Sequence, residues 1–191
     1  MLQWFEKLVD PYPTKDLNKP LPTTFFAFVW QSTQGVRPFL FLLIACTAAA
    51  ACFEALFFSY IGKLVDWLTK SQPNTFLETN QQNLTILISI LCANIFFVSL
   101  QSILKHQVLF SNFPMRMRWR FHNLLLQQSL DFFHTDFAGR LSAKVMQTAL
   151  AVREFWMILG DMLVYVLIYF ITISLVLGSI APVLIIPLFL W

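Results

Sequence analysis

Three long apolar runs dominate the chain, and the segments between them carry nearly all of its charge. Between Arg37 and Lys63 lie 25 residues, PFLFLLIACTAAAACFEALFFSYIG, in which Glu54 is the single charge. Thr79 to Leu104 is a run of 26 residues with no charge, and Phe155 to Gly178 is a run of 24 with only Asp161. A helix needs about 20 apolar residues to cross the hydrocarbon of a bilayer. Backbone in lipid must satisfy its own hydrogen bonds, so helix is the form expected for each run. The pattern predicts spans at about 38–62, 83–108 and 155–178. Ser-Ile-Ala-Pro then breaks the third run, and VLIIPLFLW reads as the start of a fourth span, 182–191, in a chain that continues.

Residues 1–36 are expected to be a cytoplasmic tail with an interfacial elbow helix, because nothing in them is long enough to cross. Leu2, Phe5, Leu8 and Val9 share one helical face, and FFAFVW at 25–30 forms a second short apolar piece. Pro11, Pro13, Pro20 and Pro22 separate the two. Such pieces lie in the interface plane with Trp4 and Trp30 at headgroup level; the alternative is a partly disordered tail.

From Asn83 to Asp131 there is no glycine and one proline, Pro114. As one helix this stretch is about 70 Å long at 1.5 Å per residue, of which the bilayer core takes about 30 Å. The helix is therefore expected to leave the membrane, with a kink at Pro114. Leu141 to Leu177 has one glycine and no proline, and its polar first part places Leu141, Val145, Ala149 and Val152 at helical spacing. The two helices are joined at DFFHTDFAGR, with Gly139 as the expected breaker. Phe132, Phe133 and Phe137 cannot all hide on so short a turn, and an exposed apolar tip marks an interaction site.

Composition supports the membrane reading. Apolar residues make up 58% of the 191 and charged residues 12%, about half the usual soluble share. Net charge is +3, yet the placement of the cations says more. Residues 1–37 and 105–153 hold eleven of the thirteen Lys and Arg; the 61–83 loop holds Lys63 and Lys70. Cations stay on the cytoplasmic side, so the N-terminus and the loop 109–154 are expected there, in a multi-pass inner-membrane protein. No basic run alternates with exposed aromatics, which argues against a nucleic-acid partner. Cys46, Cys52 and Cys92 sit in apolar runs without metal spacing and read as small buried hydrophobes.

No Gly-x4-Gly-Lys-Ser/Thr loop occurs in the chain, and no catalytic triad, zinc spacing or paired-carboxylate motif stands out. The two ionisable residues inside spans, Glu54 and Asp161, are candidate cavity or translocation residues. Beside that stands a structural reading for each, pairing across helices or snorkelling to an interface. His106, His122 and His134 read as solvated or interfacial rather than as metal ligands.

The stretch LLLQQSLDFFHTDFAGRLSAKVMQTALAVRE resembles the first intracellular loop of ATP-binding cassette (ABC) exporters. Phe132, Phe133, Ala138, Gly139, Leu141, Lys144 and Val152-Arg153-Glu154 fall in the family's register, and the RMRWR cluster at 116–120 adds to the match. The polar positions depart from it at His134, Ala138, Arg140 and Thr148. The resemblance implies an all-α, six-helix transmembrane domain of the type I exporter (type IV) fold, occupying 37–191 in part. It implies a following nucleotide-binding domain that holds ATP and Mg2+, a second copy or homologous half-transporter, and an unidentified transported substrate. Carried over, the element that couples to the nucleotide-binding domain is Phe132, Phe133, His134, Thr135, Asp136, Phe137, Ala138 and Gly139. Two other readings fit the residues: a proton-driven secondary transporter with this fold, in which Glu54 or Asp161 titrates, and a membrane-anchored signalling protein with paired cytoplasmic helices.

Overall fold

The computed structural model describes residues 7–14, 22–70, 76–135, 137–180 and 186. All elements among them are helical, as the apolar runs require: α1 Phe25–Ser32, α2 Arg37–Lys70, α3 Phe76–Ile103, α4 Asn112–Leu126, α5 Leu130–Thr135, α6 Ala138–Met157 and α7 Val164–Ile180. Two π-helical segments interrupt the series, Leu104–Leu109 after α3 and Ile158–Leu163 between α6 and α7. Three helical stretches are long and apolar enough to cross a membrane: Arg37–Val65, Gln81–Leu126 and Ala138–Val176. The chain is thus an all-α, multi-pass helical protein. Its helices outrun the predicted spans, because Lys63 and Asp66 end the apolar run without ending the helix. The fourth-span residues 182–191 lie outside the described residues apart from Ile186, as do Leu2, Trp4 and Phe5. Leu8 stands in a turn rather than the expected helix.

The helices group into two compact units. The first comprises Met1–Leu43 and Ser102–Gly160. Its buried residues include Val9, Val36, Val108, Leu109, Phe113, Met117, Ala149 and Val152, so the predicted face of α6 is the face that packs at Ala149 and Val152. Aromatic pairs tie α1 to the rest: Phe28 stacks on Phe121 with centroids 6.4 Å apart, and Trp30 meets Trp156 at 6.2 Å. α1 is amphipathic, burying Val29 and Ser32 while Phe25, Phe26 and Trp30 face outward. The turn from α1 into α2 needs Gly35, whose φ is +81°. A Cβ there would sit 2.5 Å from Nη2 of Arg116. Arg37 closes the same turn, donating to Thr33 Oγ1 at 3.2 Å and to the Trp30 carbonyl at 2.9 Å, with its guanidinium 4.2 Å over the Trp30 ring.

Pro114 acts four residues upstream of itself. It has no N–H to give to the Phe110 carbonyl, and the chain there makes a turn at Phe110 and Ser111 after the π segment. Arg153 takes the freed carbonyl at 3.4 Å and lays its guanidinium 4.1 Å over the Phe110 ring. The expected kink at Pro114 is therefore a break at 104–111 that α6 helps to hold.

The second unit comprises Ile44–Gln101 and Asp161–Trp191. Lipid tails are as apolar as leucine, so helices in a membrane associate through close packing and hydrogen bonds. Cys46, Thr47, Ala50 and Ala51 make a buried small-residue stripe on α2. Asn94 of α3 reaches it, donating from Nδ2 to the Ala50 carbonyl at 3.4 Å, and Phe53 stacks on Phe97 at 5.4 Å. Between 81 and 103 Ile90 is the one buried residue; Ile88, Ile95 and Phe96 point outward, as suits a surface that meets lipid or further helices. Of the cysteines read as buried, only Cys46 is so, whereas Cys52 and Cys92 are exposed, because each lies off the packed stripe of its helix.

Candidate functional site

The joint between α4 and α6 is built by local hydrogen bonding. The N–H groups of Gln127 and Gln128 return to the carbonyls of Leu124 and Leu125, ending α4. Ser129 then starts α5, its Oγ accepting the N–H of Phe132, the third helical residue, at 3.4 Å. Asp131 adds a negative charge to the first turn, where the helix dipole favours it. Phe137 is extended, with φ −73° and ψ 128°, and its carbonyl accepts the N–H groups of Arg140 at 2.9 Å and Leu141 at 3.2 Å. Gly139, expected to break the helix, is instead in the first turn of α6. Its role is spatial: a Cβ there would stand 2.8 Å from Cε1 of the Phe137 ring.

This joint presents apolar groups outward. Leu130 is 80% exposed, Phe137 78%, Leu126 69% and Phe133 43%. Phe132 is half-buried and meets Phe133 edge-on at 5.4 Å. His134, Ala138 and Gly139 are exposed; the side chain of Thr135 and all of Asp136 lie outside the described residues. Behind the apex a groove of about 280 Å³ is lined by His122, Leu125, Phe133, Ala138, Leu141 and Val145, among others. The residues predicted as one coupling element are thus contiguous and mostly exposed, with apolar rings foremost.

In the second unit the two carboxylates belong to different polar clusters. Asp161 lies in the π segment Ile158–Leu163. Its Oδ1 accepts from Gln101 Nε2 at 2.5 Å and from Thr47 Oγ1 at 3.3 Å, while Gln101 also donates to Thr47 at 3.0 Å. One polar side chain from each candidate span meets there, and Thr47 is fully buried. Glu54 Oε2 accepts from the Tyr165 hydroxyl at 2.9 Å, and Tyr165 stacks on Tyr169 with centroids 4.7 Å apart. Both carboxylates accept hydrogen bonds from side chains of other helices. Thr47, Gln101, Tyr165 and Tyr169 were not visible to a reading that counted charges. The signal was there in Gln101, a long polar side chain inside an uncharged apolar run.

Fold and clusters together define a helical membrane protein with hydrogen-bonded polar groups inside its candidate spans. Over all 191 residues the chain is 40% identical to a Haemophilus influenzae protein described as an "Uncharacterized ABC transporter ATP-binding protein". The chain spans 31% of that relative's length. The similarity covers every element described above. No family model matches the chain. No solved structure matches it.

Proposed function

We propose that this chain is the membrane-spanning, substrate-translocating part of an ATP-driven ABC exporter, working as a dimer of such halves. The observation that carries the reading is the apolar apex at 126–137, placed between two long helices of a chain homologous to an ABC transporter protein. Exposed aromatics at such a turn need a covering partner, and a nucleotide-binding domain in the cytoplasm is the partner this reading assigns. No residue of the chain is assigned to nucleotide, since it has no phosphate-binding loop; ATP and Mg2+ belong to the nucleotide-binding domain. When those domains close, the apex is displaced with them. The helices on either side lead into the candidate spans, one through the turn at Phe110 and Ser111 and the other through the π segment Ile158–Leu163, so the displacement is passed on as a movement of helices. The relative's description does not favour the proton-driven alternative.

The test uses the complete transporter in lipid vesicles. Phe133→Ala combined with Phe137→Ala should leave the protein inserted and hydrolysing ATP while transport per ATP falls at least about tenfold, the loss of roughly 1.4 kcal/mol of coupling. Unchanged transport would remove the apex from the coupling path.

A further inference from the structure

Glu54 lies near the middle of the candidate span Arg37–Val65. A carboxylate at that depth is costly and is retained for a partner of opposite charge or a functional task. No Lys or Arg lies within the apolar runs of the three spans, and Glu54 is held by a neutral donor, the Tyr165 hydroxyl at 2.9 Å. That bond fixes the carboxylate beside a pair of stacked rings, Tyr165 and Tyr169. The Tyr169 hydroxyl is buried and faces Tyr165 and Glu54, so both tyrosines cluster at the one carboxylate. Tyr169 forms one wall of a cleft of about 370 Å³, completed by Ala55, Phe58, Ser59, Thr172 and Val176. That volume suits a small organic molecule. The walls are apolar apart from three hydroxyls, so the cleft would bury a hydrophobic body.

A carboxylate and two aromatic faces attract a cation. They repel an anion and gain little from a neutral guest. The Asp161 cluster differs, because its donors are the Gln101 amide and the Thr47 hydroxyl, with no aromatic ring among them. We infer that Glu54, Tyr165 and Tyr169, with the cleft beside them, form a recognition site for an apolar organic cation. The inference rests on the reading of the chain as a transporter's membrane part and names the class of cargo that part accepts.

The experiment compares two ions of nearly equal size and shape and opposite charge, tetraphenylphosphonium and tetraphenylborate. Binding of each is measured to the complete transporter in lipid nanodiscs, without ATP. The phosphonium should bind, and Glu54→Gln should weaken it at least about tenfold without weakening the borate. Tyr169→Leu should weaken the phosphonium about five- to thirtyfold by removing a ring face; it keeps Glu54 in place should Glu54→Gln fail to fold. Equal phosphonium affinity in wild type and both variants, or equal affinity for the two ions, overturns the inference. A basic residue elsewhere in the transporter that neutralises Glu54 would appear as the first of these results. ATP hydrolysis is scored separately. Its absence from the complete protein defeats the ATP-driven reading, whereas hydrolysis with unaltered phosphonium binding in the variants defeats the cargo assignment alone.

Discussion

Gly35 and Asp161 show two ways in which a single side chain decides local structure. At Gly35 the backbone is left-handed and the Arg116 guanidinium occupies the space a Cβ would need, so Gly35→Ala combines strain with a clash. A left-handed non-glycine costs about 1–2 kcal/mol. The variant of the complete protein should unfold at lower denaturant or temperature by at least that amount, and an unshifted unfolding midpoint would show that the turn relaxes freely. At Asp161 the carboxylate depends on donors from two other helices. Gln101→Leu removes the amide that donates to both Asp161 and Thr47, and should destabilise the folded protein in detergent by on the order of 1 kcal/mol. Thr47→Val, which removes one hydroxyl, should cost less. A larger loss for Thr47→Val would mean that its tight packing, rather than the hydrogen bond, holds the helices.

Among the elements, the spans were legible because charge is excluded from hydrocarbon, and three charge-free or singly charged runs of sufficient length stand in this sequence. Their limits were less legible. Lys63 and Asp66 end the apolar run but are compatible with helix, so α2 runs on to Lys70 where the hydropathy pattern stops. The π segments at Leu104–Leu109 and Ile158–Leu163 had no sequence signature beyond Pro114 near the first, since an extra residue in a helical turn leaves side-chain type unconstrained. Gly139 was misread for a related reason: glycine commonly ends helices, yet here it makes room for a ring from the residue two before it. The short α5 is the least secure element, as six residues cannot sustain a helix without help. Ser129 supplies that help as its cap, worth about 1 kcal/mol. In Ser129→Ala, amide exchange across Leu130–Thr135 should quicken roughly fivefold, while exchange in α6 stays unchanged. Equal protection in the variant would show that α5 is held by its packing alone.

At the scale of the whole molecule, the two compact units are each held together in a different way. The first unit is held by a mainly aliphatic core around Phe113, by aromatic pairs at α1 and by a guanidinium-fastened turn. The second exposes apolar residues over most of α3 and α7 and relies on a small-residue stripe and a few hydrogen bonds. Such a surface is stable only against lipid or further helices, and the apex Leu126, Leu130, Phe133 and Phe137 is stable only against a partner. The central claim is that this partner is a nucleotide-binding domain. A photo-reactive phenylalanine analogue in place of Phe137, irradiated in the complete transporter in native membranes and mapped by mass spectrometry, tests it most directly. The account predicts cross-links into the nucleotide-binding domain. Cross-links confined to lipid, or to protein on the opposite side of the membrane, would contradict it.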